Sequence, residues 1–313
     1  MVQKNPSIFG LIGFPVKHSF SPAMHNAAFE KLGIDADYRL FEVRPQDLED
    51  FLLKPDREFP DKNDNIVRAG DVICFNITIP HKIRALQILS KQCPLGWKPL
   101  DSYFSTLSGA INTVKRTENG IECLNTDAIG FIKSLQEDLN FYHKDKTILL
   151  IGCGGAARAI ISGLCWPIGD SVLKIYATDI SVEAIKATEE HFLSVNKPSI
   201  SEKLEFIPIG KVKNIIGKCD LLINATPIGM KNGDNLLVEK NLLHENLYIY
   251  DIVYNRKTKL LETAQSLGLK ATGGLGMLLY QGSSAFTFWT GKQAPIEIMR
   301  KALMSEISKK GGV

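Results

Sequence analysis

Apolar residues along this chain fall into short runs separated by polar or glycine-bearing breaks, and the length of each run separates strand from helix. Ile8-Phe9-Gly10-Leu11-Ile12-Gly13 is an apolar run ending at glycine and predicts a buried strand. Ser21-Pro22 then opens a helix, with serine expected at the N-cap and proline at the first helical position. That helix carries Met24, Ala27, Ala28, Phe29 and Leu32 and stops at Gly33. Tyr38 to Val43 reads as a strand, Pro45 to Leu53 as a helix, and the stretch Pro55 to Asn65, rich in Pro, Asp, Lys and Asn, as a surface loop. Val72 to Ile79 predicts a third strand, followed by Pro80 and a helix from about His81 to Leu89. Gly109 to Lys115 and Gly120 to Leu124 form a strand pair, and Ala128 to Leu139 a helix.

From Lys146 the pattern becomes a regular strand–helix alternation. The expected strands are Thr147–Ile151, Val172–Asp179, Leu204–Ile207, Asp220–Asn224 and Tyr248–Ile252. Helical stretches between them predict a parallel sheet covered on both faces. The tail from Gly276 to Met304 reads as helix, broken near Gly291 and Pro295. With 313 residues the chain suits two domains rather than one core. The expected fold class is therefore α/β with two domains.

Composition adds exclusions. Hydrophobic residues at 44% and charged residues at 23% are ordinary for a globular protein. A net charge of +3 with scattered lysines argues against nucleic acid or an anionic membrane as partner, and suits anionic small ligands. Six cysteines without any C-x-x-C spacing read as reduced thiols of a cytoplasmic protein. The N-terminal residues are polar and lack an apolar signal core. The most membrane-like stretch, Thr147 to Gly169, holds Arg158 and Pro167 and splits into a strand run and a helix run. His18, His25 and His81 match no zinc spacing and have no acidic or thiol partner beside them, so no metal is expected.

The strand Lys146 to Ile151 runs into Gly152-Cys153-Gly154-Gly155-Ala156-Ala157, a G-x-G-x-x-A dinucleotide fingerprint. Gly152 permits the tight turn, Gly154 lets backbone approach a pyrophosphate, and Ala157 lets the helix lie close on the sheet. The following helix, Ala156 to Leu164, offers free N–H groups and its positive dipole end to the phosphates, with Gly155 just before it. The next strand ends in Asp179, 22 residues beyond Ala157, where a carboxylate can accept both ribose hydroxyls of NAD. The same carboxylate would repel the 2′-phosphate of NADP, and Thr178, Ile180 and Ser181 supply no guanidinium to hold it. NAD is therefore the expected cofactor, with NADP disfavoured.

Polar clusters also sit at element ends. They are His18-Ser19-Phe20-Ser21-Pro22, Asn76-Ile77-Thr78-Ile79-Pro80-His81-Lys82, Asn112-Thr113, Asn125-Thr126-Asp127, Tyr254 and Gln281. Together with Gly13 to Asn26, Phe75 to Lys82, Gly109 to Val114, Asn224 to Met230, Asp251 to Asn255 and Gly274 to Gly282, they make the chain resemble the shikimate dehydrogenase family, including its quinate/shikimate branch. The resemblance runs through nearly the whole chain in the right order. It implies a substrate-binding catalytic domain from residues 1–126 plus 275–313 and a Rossmann domain from 127–274. It also implies an oxidoreductase of the shikimate pathway of aromatic amino acid biosynthesis, acting as a monomer or homodimer on a cyclic hydroxy acid.

By motif match, Ser19 and Ser21 would bind the substrate carboxylate, Thr78, Asn112 and Gln281 its ring hydroxyls, and Tyr254 would line the site. Lys82 and Asp127 would be the catalytic pair, and Thr226, Met230 and Gly274 would border the nicotinamide end of the dinucleotide. NADP-using members usually carry Asn-Arg and then Ser or Thr after the second Rossmann strand; here the stretch is Asp179-Ile180-Ser181, which favours the NAD-using branch. Lys82 can move the hydroxyl proton only if its pKa falls below the ordinary value of about 10.4. A helix start and partial burial would push it down, whereas Asp127 would oppose that shift while aiming the amine. Two other readings are a quinate- or aminoshikimate-preferring dehydrogenase and, from another class, a ligand-sensing homologue without chemistry. Retention of Lys82 and Asp127 argues against the latter.

Overall fold

The computed structural model describes residues 6–92, 99–166 and 171–309; Cys93 lies outside them. The chain divides into two units, one formed by Met1–Thr126 with Gln281–Lys310, the other by Asp127–Tyr280.

The first unit begins with β1 (Ser7–Gly13), whose run from Phe9 is buried, then α1 (Ser21–Lys31) and β2 (Ala36–Glu42). A short helix α2 (Leu48–Leu53) buries Leu48, Phe51 and Leu52. The stretch expected to be plain loop contains β3 (Glu58–Pro60), which pairs antiparallel with β4 (Ile66–Arg68). β5 (Val72–Ile77) leads to α3 (Lys82–Gln92), then α4 (Pro99–Ser108), a helix the pattern did not predict. β6 (Thr113–Thr117) and β7 (Gly120–Leu124) form the expected pair, with the first strand starting later than its glycine.

The five-stranded sheet runs β2-β1-β5-β6-β7, parallel among its first three strands and antiparallel thereafter. One face packs Ile12, Phe41, Phe51, Phe75, Ile77 and Leu89 into a single core. Ser21 is not an N-cap. It is the first residue of α1, Phe20 holds the cap position, and the Ser21 N–H donates to Ser19 Oγ at 3.2 Å. The helix is thus started from Ser19 rather than from Ser21.

The second unit opens with α5 (Asp127–Glu137) and β8 (Thr147–Ile151), followed by α6 (Gly155–Leu164) and β9 (Lys174–Thr178). Then come α7 (Val182–Val195), α8 (Pro198–Ser201), β10 (Leu204–Phe206), α9 (Val212–Ile215) and β11 (Leu221–Asn224). β12 (Tyr248–Asp251), α10 (Lys259–Ser266) and a short β13 (Ala271–Gly273) complete it. α11 (Leu275–Thr290) and α12 (Ile296–Lys309) follow, separated near Gly291 and Pro295.

The six-stranded sheet is wholly parallel in the order β10-β9-β8-β11-β12-β13. β8 and β11 are buried along almost their whole length, which is why they read as unbroken apolar runs. Strand order reverses between β8 and β11, so the carboxyl ends of these two strands flank the crevice where such sheets take ligands.

Candidate functional site

In the second unit, β8 delivers the glycine turn to that crevice. Gly152 has φ +118°, and a Cβ there would lie 2.6 Å from the Ala225 carbonyl oxygen, so both conformation and space demand glycine. Gly154 is the N-cap of α6, and a Cβ on it would meet nothing within 4 Å. The protein leaves space at this point, beside the first N–H groups of Gly155 and Ala156, which suits a pyrophosphate against a helix N-terminus. Cys153 contributes no reactive thiol, since burial pushes it up to about 12.

Asp179 follows β9. Its Oδ2 accepts the Cys153 N–H at 2.8 Å and its Oδ1 accepts the Ser181 N–H at 2.9 Å. The carboxylate therefore braces the glycine turn. Each oxygen retains lone-pair capacity for a hydroxyl donor. Beyond it, Ile180 and Val182 are exposed, and Ser181 caps α7 by accepting the Ala184 N–H.

Thr226 begins the loop after β11. Its N–H and hydroxyl both donate to Asn224 Oδ1, at 3.0 and 2.7 Å. Met230 is exposed at the end of that loop. Gly274 follows β13, and any side chain there would collide with the Ile252 carbonyl. Tyr254 is half-buried, three residues past Asp251.

In the first unit, Ser19 and Ser21 stand together at the start of α1, the Ser19 hydroxyl donating to Ser21 Oγ at 3.2 Å. Thr78 follows β5, anchored by its N–H to the Ile12 carbonyl at 2.9 Å. Lys82 is the first residue of α3, and its carbonyl accepts the Ile111 N–H at 3.1 Å. His81 beside it is buried, with Nε2 2.6 Å from the Val43 carbonyl oxygen, and burial lowers its pKa.

The densest polar feature of this unit is built on Asn112. Asn112 Oδ1 accepts the Thr126 N–H at 2.8 Å and the Thr113 hydroxyl at 2.9 Å, while Nδ2 donates to Thr126 Oγ1 at 3.0 Å and Gln281 Oε1 at 3.3 Å. Asn76 supports it from below, donating to the Asn112 carbonyl and to Thr113 Oγ1 and accepting the Tyr38 hydroxyl at 2.8 Å. Asn112 and Gln281, 169 residues apart in sequence, thus meet as neighbours. Tyr38 was not singled out by the pattern because it reads as one of the core residues of a strand, and Asn224 and Asp251 were read only as parts of a motif and a strand end. Asp127, buried, starts α5 in the second unit.

Among the described residues no group of three or more His, Cys, Asp or Glu side chains could hold a metal. Among them, too, no helix is long and apolar enough to cross a membrane.

Known proteins are similar to this chain in sequence and fold. Residues 11–95 match the shikimate dehydrogenase substrate-binding domain and residues 274–304 the shikimate 5′-dehydrogenase C-terminal domain. A relative from Methanobrevibacter smithii named shikimate dehydrogenase (NADP(+)) is 36% identical over 306 residues, 97% of this chain and 98% of that one. The crystal structure of a shikimate dehydrogenase in complex with NADP+ is 32% identical, with a TM-score of 0.80 and 98% of both chains covered. A shikimate 5-dehydrogenase from Listeria monocytogenes, solved with shikimate and NAD, is 30% identical, with a TM-score of 0.77, covering 96% of this chain and 98% of that one.

Proposed function

Because the chain belongs to the shikimate dehydrogenase family, we propose that it catalyses reversible hydride transfer between a nicotinamide dinucleotide and a ring hydroxyl of shikimate, with quinate as a second substrate. The observation that carries this reading is the buried Asn112–Thr126–Gln281 cluster. Amides that donate and accept side by side are what a ring with neighbouring hydroxyls requires, and such a site discriminates strongly against analogues lacking them. The Ser19–Ser21 pair supplies hydroxyl donors for the substrate carboxylate, with Thr78 and Tyr254 as further walls.

Bound in the second unit, the dinucleotide supplies the hydride acceptor at its nicotinamide ring. Gly152, Gly154, Gly155 and Ala156 would hold the pyrophosphate, and Thr226, Met230 and Gly274 would border the nicotinamide. Lys82 would take the hydroxyl proton in oxidation and return it in reduction, with Asp127 as the second member of the catalytic pair. Acid–base help of this kind contributes roughly 10²- to 10⁴-fold. Lys82→Ala should accordingly lose kcat by that order with little change in KM; near-normal turnover would remove Lys82 from the chemistry.

We assign NAD as the preferred dinucleotide. The curated relatives are named for NADP(+), and solved relatives hold NADP+ or NAD, so the NAD assignment runs against the relatives' names and rests on local residues alone. Here Asp179 and Ile180 stand where a 2′-phosphate would need a cation. Two like charges about 4 Å apart repel by about 4 kcal/mol at an effective dielectric constant of about 20. Steady-state kinetics at 340 nm with shikimate and quinate against both dinucleotides test the whole reading. Turnover with neither acid would sink it, and a preference for NADP would sink the cofactor assignment alone.

A further inference from the structure

Asp251 closes β12 directly beside Asn224, its register partner at the end of β11. Its side chain is fully buried. Oδ1 accepts Asn224 Nδ2 at 2.9 Å and the Val253 N–H at 3.0 Å, and Oδ2 accepts the Thr258 hydroxyl at 2.7 Å. A carboxylate only accepts, so Asn224 must turn its amino group toward Asp251. This leaves Asn224 Oδ1 for Thr226, whose N–H and hydroxyl both donate to it, while Nδ2 also reaches the Ile228 carbonyl at 2.9 Å. Thr226 Oγ1 in turn accepts the Ile228 N–H.

On the other oxygen, Thr258 caps α10 by accepting the Leu261 N–H. Gly229, at φ +104°, lies so close that a Cβ there would be 2.6 Å from Thr258 Cγ2. The loop from Thr226 to Met230, the turn to Tyr254 and the start of α10 are therefore all tied to one carboxylate.

We propose that Asp251 is a positioning residue for hydride transfer, acting through Asn224 on the Thr226–Met230 loop and through the Val253 N–H on the turn that carries Tyr254. The proposal rests on the roles given above to Thr226, Met230 and Tyr254. An alanine at 251 would leave the Asn224 amino group, the Val253 N–H and the Thr258 hydroxyl without their acceptor, loosening both segments without removing the fold's apolar core. The glycine turn and Asp179, which hold the other half of the dinucleotide, have no hydrogen bond to this carboxylate and should be unaffected.

The test is Asp251→Ala, assayed beside wild type. Turnover of shikimate should fall at least tenfold, and the primary deuterium isotope effect on kcat, with shikimate labelled at the oxidised carbon, should rise. Affinity for ADP-ribose, or for its 2′-phosphate if wild type uses NADP, should stay within twofold by calorimetry at full stoichiometry. If Asp251→Ala does not fold, Asn224→Ala carries the same expectation for the Thr226–Met230 loop, because it removes the amide that joins Asp251 to Thr226 and Ile228 while leaving the Val253 and Thr258 bonds in place. An unchanged kcat and isotope effect would overturn the proposal. So would a loss of turnover matched by an equal loss of ADP-ribose stoichiometry, which is what mere unfolding gives. Wild type inactive with both acids would instead sink the parent reading and this one with it.

Discussion

His25 lies in an aromatic cage of the first unit, its ring stacked on Tyr38 at 4.4 Å and 8°, with Phe29, Phe286 and Trp289 around it. It is wholly buried, and neither ring nitrogen has a hydrogen-bond partner. Asp251 is just as deeply buried in the second unit, yet it gathers three donors from Asn224, Val253 and Thr258. The physical difference is charge. A neutral imidazole can be enclosed at the cost of unmade hydrogen bonds, whereas a carboxylate must be either bonded or protonated. Burial accordingly drives His25 down to about 3, and drives Asp251 only up to about 6 because its three bonds pull against desolvation. The first unit uses its buried ionisable group as a packing element, and the second uses its own to tie loops together.

The sharpest way to break this contrast is to make the same substitution at both places. Asp251→Leu leaves three buried donors without an acceptor and should cost about 3–5 kcal/mol in urea unfolding. His25→Leu removes no hydrogen bond and should change stability at pH 7.5 by about 1 kcal/mol or less in either direction. Equal losses at the two sites would erase the distinction.

Acid separates them next, and with opposite sign. His25 has a folded pKa below its unfolded value, so the unfolded chain binds the proton first and stability falls as pH drops below 6.5. At about 1.4 kcal/mol per pH unit this contribution reaches about 2 kcal/mol at pH 5. Asp251 has a folded pKa above its unfolded value, so the folded chain binds the proton first and stability gains as pH falls from 6 toward 3.8, by about 1 kcal/mol at pH 5. Relative to wild type, His25→Leu should become more stable between pH 6.5 and 5 and Asp251→Asn less stable. Parallel unfolding curves for all three proteins across that range would contradict the assignment.

The smallest effect divides one ring. Tyr38 gives its face to His25 and its hydroxyl to Asn76, so Tyr38→Phe keeps the stack and leaves Asn76 Oδ1 short of a donor. It should cost about 1–2 kcal/mol and raise KM for the acid substrate through the Asn76–Asn112 contact, leaving the acid sensitivity of His25 in place. If KM does not move, the Asn76 support is structural only.

Much of this was legible beforehand, and unevenly. β8, β11 and β12 were found almost residue for residue because strands buried on both faces are continuous apolar runs. The glycine turn was legible because each position has its own steric demand. α4 was missed because buried serines, Ser105 and Ser108, interrupt its apolar face. β3 and β4 were missed because three-residue strands exist only by pairing with each other: Glu58-Phe59-Pro60 sits in a loop-like stretch, and Ile66-Val67-Arg68 is too short to show a period. Ser21 was misplaced as the cap because the helix starts one residue earlier than that reading allows, with Phe20 at the cap position and Ser19 Oγ accepting the Ser21 N–H.

By itself the sequence determined the α/β class, the order of the parallel strands' segments, the dinucleotide turn with Asp179 after its second strand, and the family to which the motifs belong. Those features depend on local sterics, on periodicity and on spacing along the chain. Tertiary structure alone decided that Asn112 meets Gln281 across 169 residues, that Asp179 braces Cys153, and that Asp251 accepts both Asn224, which holds Thr226, and the Val253 N–H before Tyr254. A hydrogen bond between distant residues needs both groups delivered to within about 3 Å by separate elements. No pattern read along one strand or helix contains that distance.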